Sequence, residues 1–367
     1  MELFKFNYVT DPTVLERGEA INNVNSVMWA ERYRDPGEFE ITGQLSSGLR
    51  EFLPIGTLIS HADTMEVMIV ENHEITEEAE SDPTIAVTGR SLECYLENRI
   101  VGVNGARTSS TVVEYGLAAD WTWNQAVKLI NDHIVNTANA NDALVNVVAQ
   151  AIAGTGGTSV ARAVSKGTVH QRLLDILAVD DLGVSSIRRN TFTGYGGNNT
   201  QTVLSIFPGT NKSASVRFSW KSGDLESAEY LFSNKRSKNS ALVLGRYVYT
   251  MVDTGPTKYD RRIMIVDADD IDGNLTDPPV GAALTNILAK MVVRGNEALQ
   301  SQNEITIARA DISKITQYQY RRDYNMGDLV TIDGNFGQTQ IMRVVEYVEI
   351  EDENGSSGHP TLSIPGV

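Results

Sequence analysis

The sequence predicts a mainly β protein in which an α+β module lies between two antiparallel β-barrel domains, and three features indicate this fold class. Short runs of strand-like residues dominate both ends of the chain, whereas amphipathic helical spacing is concentrated in the middle and in one long stretch of the last third. The charge is also uneven, since residues 1–100 carry 7 basic and 19 acidic residues while residues 101–220 carry 9 and 7. We therefore expect three units, at residues 1–105, 106–240 and 241–367.

The first unit consists of short strands separated by tight turns. Residues 39–45 alternate apolar with polar side chains, and residues 65–75 form a β-branched stretch of strand length. Proline and glycine at residues 35–37 and 53–56 suit tight turns. Only residues 91–99 have helical spacing, for about two turns. We predict an antiparallel β-barrel, because closing the sheet pairs many short strands without leaving exposed edges.

The middle unit is predicted to be α+β. Residues 123–134 place apolar side chains on one helical stripe, and Thr122 is a candidate cap for that helix. Thr168 introduces a second helix at residues 169–179, and Gly183 suits the left-handed position after it. Strand-like sequences then return at residues 184–188, 202–207 and 215–220.

The last unit is predicted to be a second β-barrel with one long helix. Apolar residues recur at helical spacing over residues 281–302. Strand-like sequences flank this helix on both sides, at residues 241–245, 262–266, 328–332 and 341–350. A β-rich head and a β-rich tail around an α+β middle indicate a duplicated barrel.

The composition argues against several classes of protein. The chain of 367 residues has 31 Lys and Arg against 47 Asp and Glu, and a net charge of -16 disfavours a surface that binds phosphate backbones. No apolar run reaches the roughly eighteen residues of a membrane span, and the first residues do not resemble a signal peptide. We therefore expect no stable membrane insertion. Cys94 is the only cysteine, which excludes an internal disulfide, and we interpret it as a small buried apolar residue.

Two glycine- or acid-rich patterns suggest binding chemistry but do not fit it well. The acidic run at residues 267–273 resembles a calcium loop, yet the loop register would place Ala268 first and Pro279 twelfth, where acidic ligands are needed. A solvated acidic turn is the favoured interpretation, with an irregular cation site near Asp267–Asp272 as the alternative. The glycine clusters at residues 154–157 and 194–197 lack the flanking residues of phosphate-binding loops, and we interpret them as loop tips.

No catalytic site can be assigned from the sequence. The 5 histidines are scattered, no nucleophile elbow is present, and the many carboxylates have no local signature. We therefore expect no enzyme activity, no cofactor and no metal. Arg32 and Arg34 in one stretch, and Arg321 and Arg322 in another, stand beside aromatic residues. Packing of arginine on tyrosine, or contact with another protein, is the favoured interpretation of both stretches.

Several blocks of sequence, in the same order along nearly the whole chain, resemble the siphophage tail protein family of baseplate and tail-tip hubs. They lie at residues 29–40, 89–93 with 96–100, 216–219 before 223–225, 238–245 and 323–331. One departure is Asp224, where the family pattern has asparagine. The residues that carry the resemblance are Trp29, Arg32, Tyr33, Pro36, Gly37, Phe39, Gly89, Arg90, Asn239, Gly245, Tyr324, Gly327 and Asp328.

The resemblance implies a tail-hub fold with two similar β-barrels in each subunit. It also implies a homotrimer whose six barrels form a pseudo-six-fold ring, located at the tail tip of the virion after synthesis in the host cytoplasm. The implied partners are the distal tail protein ring, the tail tube end, the tape-measure protein and receptor-binding or fibre proteins. DNA would pass through the channel without specific binding, because acidic ends of the chain repel phosphates.

Two alternatives remain open at this point. One is a tail-associated cell-wall hydrolase that uses carboxylates of the middle unit, and the other is a carbohydrate-binding adaptor. The last predicted strand ends shortly before Val367, so we expect no appended peptidoglycan-cleaving domain after it.

Overall fold

In a computed structural model the chain is a mainly β protein, as predicted. Six α-helices lie among the residues that the structure describes. The described residues are 2–8, 15–79, 81–102, 115–137, 143–144, 147–151, 158–164, 166–191, 199–233, 237–255, 258–272, 275–300, 305–312, 316–334 and 339–365. The glycine clusters at residues 154–157 and 194–197 lie outside these ranges. Among the described helices, none has the combination of length and apolar character that crossing a bilayer requires.

Among their described residues, the first hundred contain seven strands, two short α-helices and a 3-10 turn at Leu45–Ser47. The predicted two-turn helix at residues 91–99 is wrong in its extent, because Ser91 still belongs to a strand and only one helical turn follows. The elements are β1 (Leu3–Tyr8), β2 (Leu15–Ala20), β3 (Ser26–Arg32), β4 (Glu38–Gln44), α1 (Leu49–Phe52), β5 (Leu58–His61), β6 (Met68–Thr76), β7 (Thr84–Ser91) and α2 (Cys94–Glu97).

The next part of the chain mixes helices with strands, as predicted. Its elements are β8 (Tyr115–Trp121), α3 (Thr122–Ile130), a π turn (Asn131–Val135), β9 (Val147–Ala151), β10 (Ser159–Val164), α4 (Val169–Val179), β11 (Gly183–Thr191), β12 (Asn199–Phe207), β13 (Arg217–Ser219) and β14 (Leu225–Ser233).

Helix α4 has the predicted bounds, and its cap is confirmed, because the Thr168 hydroxyl accepts a hydrogen bond from the Gln171 amide at 3.2 Å. The predicted cap of α3 is wrong. Thr122 is the first helical residue, and its hydroxyl donates to the Thr158 carbonyl across to β10. Asp181, with φ of 52°, takes the left-handed position after α4 that we predicted for Gly183.

In the part of the last third that the structure describes there are seven strands and two helices. The predicted long helix is confirmed over residues 281–300, and residues 301 and 302 lie outside the described ranges. The elements are β15 (Ser240–Leu244), β16 (Tyr249–Asp253), β17 (Ile263–Asp267), α5 (Asp269–Asp272), α6 (Gly281–Gln300), β18 (Ile305–Ile312), β19 (Leu329–Asp333), β20 (Thr339–Asp352) and β21 (Gly355–Ser363).

One large sheet joins strands from both ends of the chain. Its order is β11-β12-β2-β1-β5-β6-β7-β4-β3-β20-β19-β13, with β21 beside β20 and β9 beside β12. The connection between the ends is the antiparallel pairing of β3 with β20, in register from Arg32 opposite Glu346 to Val27 opposite Glu351. A backbone hydrogen bond from the Val184 amide to the Tyr33 carbonyl (2.9 Å) also brings β11 next to the end of β3.

Separate hydrophobic cores lie within this architecture. Trp29, Phe39 and Val87 belong to a core inside the strands of the first hundred residues. Phe218 and Met342 belong to a core of β13, β19, β20 and β21, so that both the predicted middle and the predicted last unit contribute to it. The limits of the three units at residues 105 and 240 stay predictions.

Two further cores contain buried apolar residues of the longer helices α3, α4 and α6. One lies beneath α3 and α4 and includes Leu129 and Leu173. The other lies between α6 and a separate three-stranded sheet of order β16-β15-β17, and includes Val243 and Met291. The long helix therefore packs on a small sheet of its own.

Candidate functional site

Two residues of the family resemblance, Tyr33 and Gly327, meet at one point of the structure. The turn after β3, the turn after α4 and the turn before β19 converge there, and Arg343 reaches the same point from β20. We call this set the Tyr33 junction, and it consists of Tyr33, Arg34, Asp181, Gly183, Gly327 and Arg343.

Tyr33 fills the centre of the junction and is 2% exposed. Its hydroxyl donates a hydrogen bond to the Asp181 carbonyl at 2.7 Å. The ring lies so close to Gly183 and Gly327 that a Cβ at Gly327 would be 2.5 Å from a ring carbon, and one at Gly183 would overlap the ring. Burial raises the pKa of Tyr33 to about 12, so the phenol stays a protonated donor.

Asp181 connects two arginines from distant parts of the chain. Its carboxylate accepts from Arg34 Nη2 at 2.8 Å and from Arg343 Nε at 3.1 Å. Arg343 also lies over the Tyr33 ring, 5.0 Å from its centroid, and donates to the Gly327 carbonyl. The predicted packing of arginine on tyrosine is confirmed for Arg34, which lies 5.6 Å from the same ring.

Asp328 fixes the turn that carries Gly327. Its carboxylate accepts from the Thr210 amide at 2.7 Å and from the Asn325 amide at 2.9 Å, and thus joins the segment after β12 to the segment before β19. Gly209 packs directly on this turn, because any Cβ there would overlap the Gly327 carbonyl. These contacts leave no space for side chains between the two turns.

A cleft of about 520 Å³ opens beside the junction, between α4 and the β3–β20 pair. Its lining contains charges of both signs, and each arginine that lines it already contacts an anion. A surface of both signs suits contact with protein better than binding of a phosphate chain. The charged residues that line it are Arg32, Arg34, Asp35, Asp175, Asp181, Glu297, Arg343 and Glu346.

Arg32 forms hydrogen bonds with three segments of the chain next to this cleft. Its guanidinium donates to Glu346 at 2.8 Å on β20, to Glu38 at 2.6 Å on β4 and to the Pro36 carbonyl at 3.0 Å. The residue thereby stabilises both the turn between β3 and β4 and the seam between β3 and β20. The sequence alone identified Arg32 by its motif but not by these partners.

Four other motif residues lie in or beside the hydrophobic core formed by the strands of the first hundred residues. Trp29 and Phe39 stack with ring centroids 6.1 Å apart. The Gly37 amide donates to the Ser91 hydroxyl at 2.8 Å, and a Cβ on Gly37 would lie 2.6 Å from the Ala30 carbonyl. Gly89 is equally constrained, since an added Cβ would overlap the carbonyl oxygen of Ile69. Their place in the motif therefore has a packing explanation.

The remaining motif residues lie elsewhere. Arg90 binds Glu71 and Glu97 at the surface, and Tyr324 packs edge-to-face on Phe218 in the core of the last strands. Asn239 accepts from the Arg262 amide at 2.7 Å and so links β15 to β17.

Gly245 lies against the acidic run of residues 267–272. The buried Asp272 carboxylate accepts from the amides of Arg246 (2.7 Å) and Tyr247 (2.8 Å), and a Cβ on Gly245 would meet its oxygens at 2.7 Å. Asp270 pairs with Arg294. Asp270 and Asp272 thus stabilise the local structure. Within the described ranges, no group of three acidic, histidine or cysteine side chains is arranged so that it could bind a metal ion.

A cluster of buried carboxylates was not predicted from the sequence. Glu31, Glu66 and Glu93 are 6%, 5% and 1% exposed, and we call them the buried acid cluster. Glu31 accepts from the Tyr320 hydroxyl at 2.6 Å and from Arg321 at 2.9 Å. None of the three lines the cleft described above. Only the fold brings them together, since each belongs to a separate segment.

Burial raises the pKa of two carboxylates of this cluster, Glu66 and Glu93. Burial raises the pKa of Glu66 well above its ordinary value, and the nearby charges of Glu31 and Glu93 add to the effect. Burial also raises the pKa of Glu93 to about 7. The neighbouring His61 shifts in the opposite sense, because burial lowers its pKa to about 4 and leaves the imidazole neutral.

We predict that Glu93→Gln removes part of the pH dependence of stability. Because the folded state holds the Glu93 proton up to about pH 7, its stabilising effect is complete below pH 4.5 and is lost as pH rises towards 7. The free energy of unfolding of the wild type should fall relative to that of the variant by on the order of 2–3 kcal/mol over this window. Urea unfolding followed by tryptophan fluorescence at pH 4.5 and pH 8 measures this difference.

The control for this prediction is Glu40→Gln, which changes an exposed carboxylate on β4 and should show no such trend. A difference in the free energy of unfolding between wild type and Glu93→Gln that is the same at both pH values would contradict the prediction.

Cys94, next in sequence, is buried as predicted, and burial raises the pKa of its thiol to about 12.

Comparison with known proteins gives a consistent result. The family model described as Siphovirus ReqiPepy6 Gp37-like protein matches residues 7–362. No curated protein sequence matches the chain. Among solved structures, the 43 kDa tail protein of prophage MuSo2 from Shewanella oneidensis is similar over 100% of this chain and 99% of its own, with TM-score 0.56 and 13% identity.

Two further tail proteins have a similar fold. The tail protein from Neisseria meningitidis MC58 aligns over 100% of this chain and 97% of its own, with TM-score 0.51 and 12% identity. Prophage tail protein gp18 from Listeria monocytogenes EGD-e aligns over 99% and 94%, with TM-score 0.53 and 9% identity. At these identities the likeness concerns the fold.

Proposed function

The chain belongs to the family of siphovirus ReqiPepy6 Gp37-like proteins, and from this we propose that it is the structural baseplate or tail-tip hub of a siphophage tail. As a tail protein it is a component of the virion tail and associates with other tail components. We propose more specifically that three copies form a pseudo-six-fold ring that closes the end of the tail tube.

The observation that supports a ring most directly is the pairing of β3 with β20. It holds two β units side by side, each with its own hydrophobic core, within one continuous sheet. If both units are barrels of similar shape, three copies around an axis present six of them. A chain with two such units can therefore match a six-fold tube by repeating one type of interface.

In this proposal the ring binds the tail tube end and the distal tail protein ring, and it contacts the tape-measure protein. Receptor-binding or fibre proteins are anchored on its outer side. The chain carries 47 acidic against 31 basic residues, so DNA passes through the channel without specific binding. The role is structural, which agrees with a family of tail proteins.

We predict that the purified full chain forms three-fold particles with a six-lobed rim. Electron microscopy with two-dimensional averaging measures this symmetry directly. Particles of one copy only, together with release of soluble fragments from purified peptidoglycan, would contradict the proposal and favour the hydrolase. Saturable binding to host surface glycans by such single copies would instead favour the carbohydrate-binding adaptor.

A further inference from the structure

The segment from β15 to α6 is attached to the rest of the chain beside a single pair of strands, and we call this segment the α6 module. The chain enters the module from β14 and leaves it into β18, and these two strands pair with each other in a two-stranded sheet. Ser233 at the end of β14 lies opposite Ile305 at the start of β18, so the entry and the exit are side by side. An attachment of this kind can act as a pivot.

The hydrophobic core of the module is almost entirely its own. Its buried residues come from the module with one exception, Ala163 of β10, which is 9% exposed. The rest of the chain thus contributes one small side chain to this core. Contacts between units are held firmly when they are large and apolar, and the share of this contact that is apolar is small.

Two buried arginines cross the contact between the module and β10 in opposite directions. Arg162 of β10, 2% exposed, donates from Nε to Glu297 of α6 at 2.5 Å. Arg294 of α6, 7% exposed, donates from Nη2 to the Ala163 carbonyl at 2.8 Å. An ion pair and a hydrogen bond therefore hold the module on β10.

Each arginine also has a partner on its own side of the contact. Arg162 donates to Gln125 of α3, and Arg294 donates from Nη2 to Asp270 at 2.8 Å. When the contact opens, each guanidinium keeps that partner and Glu297 becomes accessible to water. The usual penalty for breaking a buried ion pair, an uncompensated charge in a dry interior, is therefore reduced on both sides.

The closed contact is also imperfectly packed. Arg162 Nη2 is buried and has no hydrogen-bond partner among the described residues. Arg162 and Arg294 line a cavity of about 410 Å³ that lies between the module and α4. An unsatisfied buried donor and a cavity each destabilise the state that contains them, so opening would relieve part of its own cost.

The position of Glu297 determines what the opening would expose. Glu297 and Asp175 line both this cavity and the cleft beside the Tyr33 junction. The two spaces are therefore neighbours that meet at these two side chains. If the module moves away from α4, Glu297 leaves with it, and the cavity and the cleft become one groove along α4.

We propose that the α6 module moves as a unit on the β14–β18 pair, between a closed position on β10 and α4 and an open position in which the cavity and the cleft form one groove. The ion pair between Arg162 and Glu297 holds the closed position. This movement takes place within one chain, so the inference goes beyond the proposed hub and does not depend on the ring.

The reactivity of a cysteine in the contact tests the movement. Ala163→Cys places a thiol where the closed module hides it from a bulky maleimide, and the native Cys94 stays buried and protonated. Adding Glu297→Gln removes the ion pair with Arg162 and should speed the modification of Ala163→Cys by about tenfold or more, because the open position becomes more populated. Mass spectrometry of the modified peptide measures the rate.

Ala149→Cys is the matched control, because Ala149 is also 9% exposed and lies on β9 in the core beneath α3 and α4. Glu297→Gln should leave its rate unchanged. Glu71→Gln, which breaks a surface ion pair with Arg90, should speed the modification of neither cysteine. Equal acceleration of both cysteines by Glu297→Gln would indicate general loosening and overturn the proposal, as would an unchanged rate at Ala163→Cys.

Distances between spin labels show whether the module moves as a unit. Gln171→Cys on α4 and Ala289→Cys on α6 place labels at exposed helical positions, one on each side of the contact. Electron–electron resonance should detect a second, longer distance whose population increases with Glu297→Gln and at high salt, which screens the ion pair. Tyr249→Cys with Ala289→Cys, both within the module, should keep one distance throughout.

Two outcomes of the distance measurement would contradict the proposal. A single distance between α4 and α6 in every condition would mean that the module does not leave its closed position. A change in the distance within the module would mean that it unfolds locally instead of moving as a unit. Neither outcome bears on the three-fold particles expected of the hub, so the two proposals can fail separately.

Discussion

Replacing Gly89 with alanine is expected to lower the free energy of unfolding by about 3 kcal/mol or more. Gly89 is buried in β7, where it is paired with Phe39 of β4 on one side and Val70 of β6 on the other. An added Cβ would overlap the Ile69 carbonyl and would lie 2.7 Å from the Phe39 ring. Because strand pairing holds both backbones in place, the overlap cannot be relieved by a side-chain rotation.

Thr88→Ala on the same strand is the control, since its half-buried side chain leaves no overlap when truncated. Thermal unfolding followed by circular dichroism compares the two variants with the wild type. A melting temperature for Gly89→Ala equal to that of Thr88→Ala would show that β6 and β7 can separate enough to admit a methyl group.

The second large effect is expected for Asp181→Asn in the Tyr33 junction. Asparagine tolerates the left-handed backbone at this position, so the substitution mainly removes the charge between Arg34 and Arg343. The Arg343 side chain is only 9% exposed and would lose its carboxylate partner. We expect a loss of about 2–3 kcal/mol, because removing one member of a largely buried ion pair leaves the other uncompensated.

Urea unfolding measures this loss, and hydrogen exchange at the Gly327 turn should increase together with it. Asp323→Asn is the control, because Asp323 pairs with Arg322 in an exposed position and should cause no measurable change. Unaltered unfolding of Asp181→Asn would mean that the hydrogen bond from Tyr33 and the packing of glycines hold the junction without the charge.

Local features of the fold could be predicted from the sequence because their causes are local. The bounds of α4 follow from the threonine at residue 168 and the apolar spacing after it. The long helix α6 was recognisable for the same reason. The error at Thr122 has a distant cause, since its hydroxyl donates to the carbonyl of Thr158, 36 residues away, instead of capping its own helix.

Partners that lie far apart in the chain could not be predicted. Nothing near Arg32 indicates that Glu346 lies opposite it, because strand pairing depends on the whole fold. The buried acid cluster was missed for this reason. Likewise, Asp181 appeared to be an ordinary residue at a helix end, although its contacts with Arg34 and Arg343 join three segments.

The candidate site was partly predictable. The motif residues include Tyr33 and Gly327, which touch in the structure, but a glycine in a motif does not say which side chain needs the space. Gly183 was interpreted as a helix terminator, whereas its role is to admit the Tyr33 ring. Geometry of this kind is determined by packing across the sheet, which sequence periodicity does not encode.

The pairing of β3 with β20 also affects how the chain can be made. During synthesis on the ribosome, β3 emerges early, but residues 346–351, which pair with it, follow only after some three hundred more have been added. Until then β3 keeps an open edge that can pair with another chain. A truncated product of translation would retain this open edge, so only chains synthesised through β20 can complete the sheet.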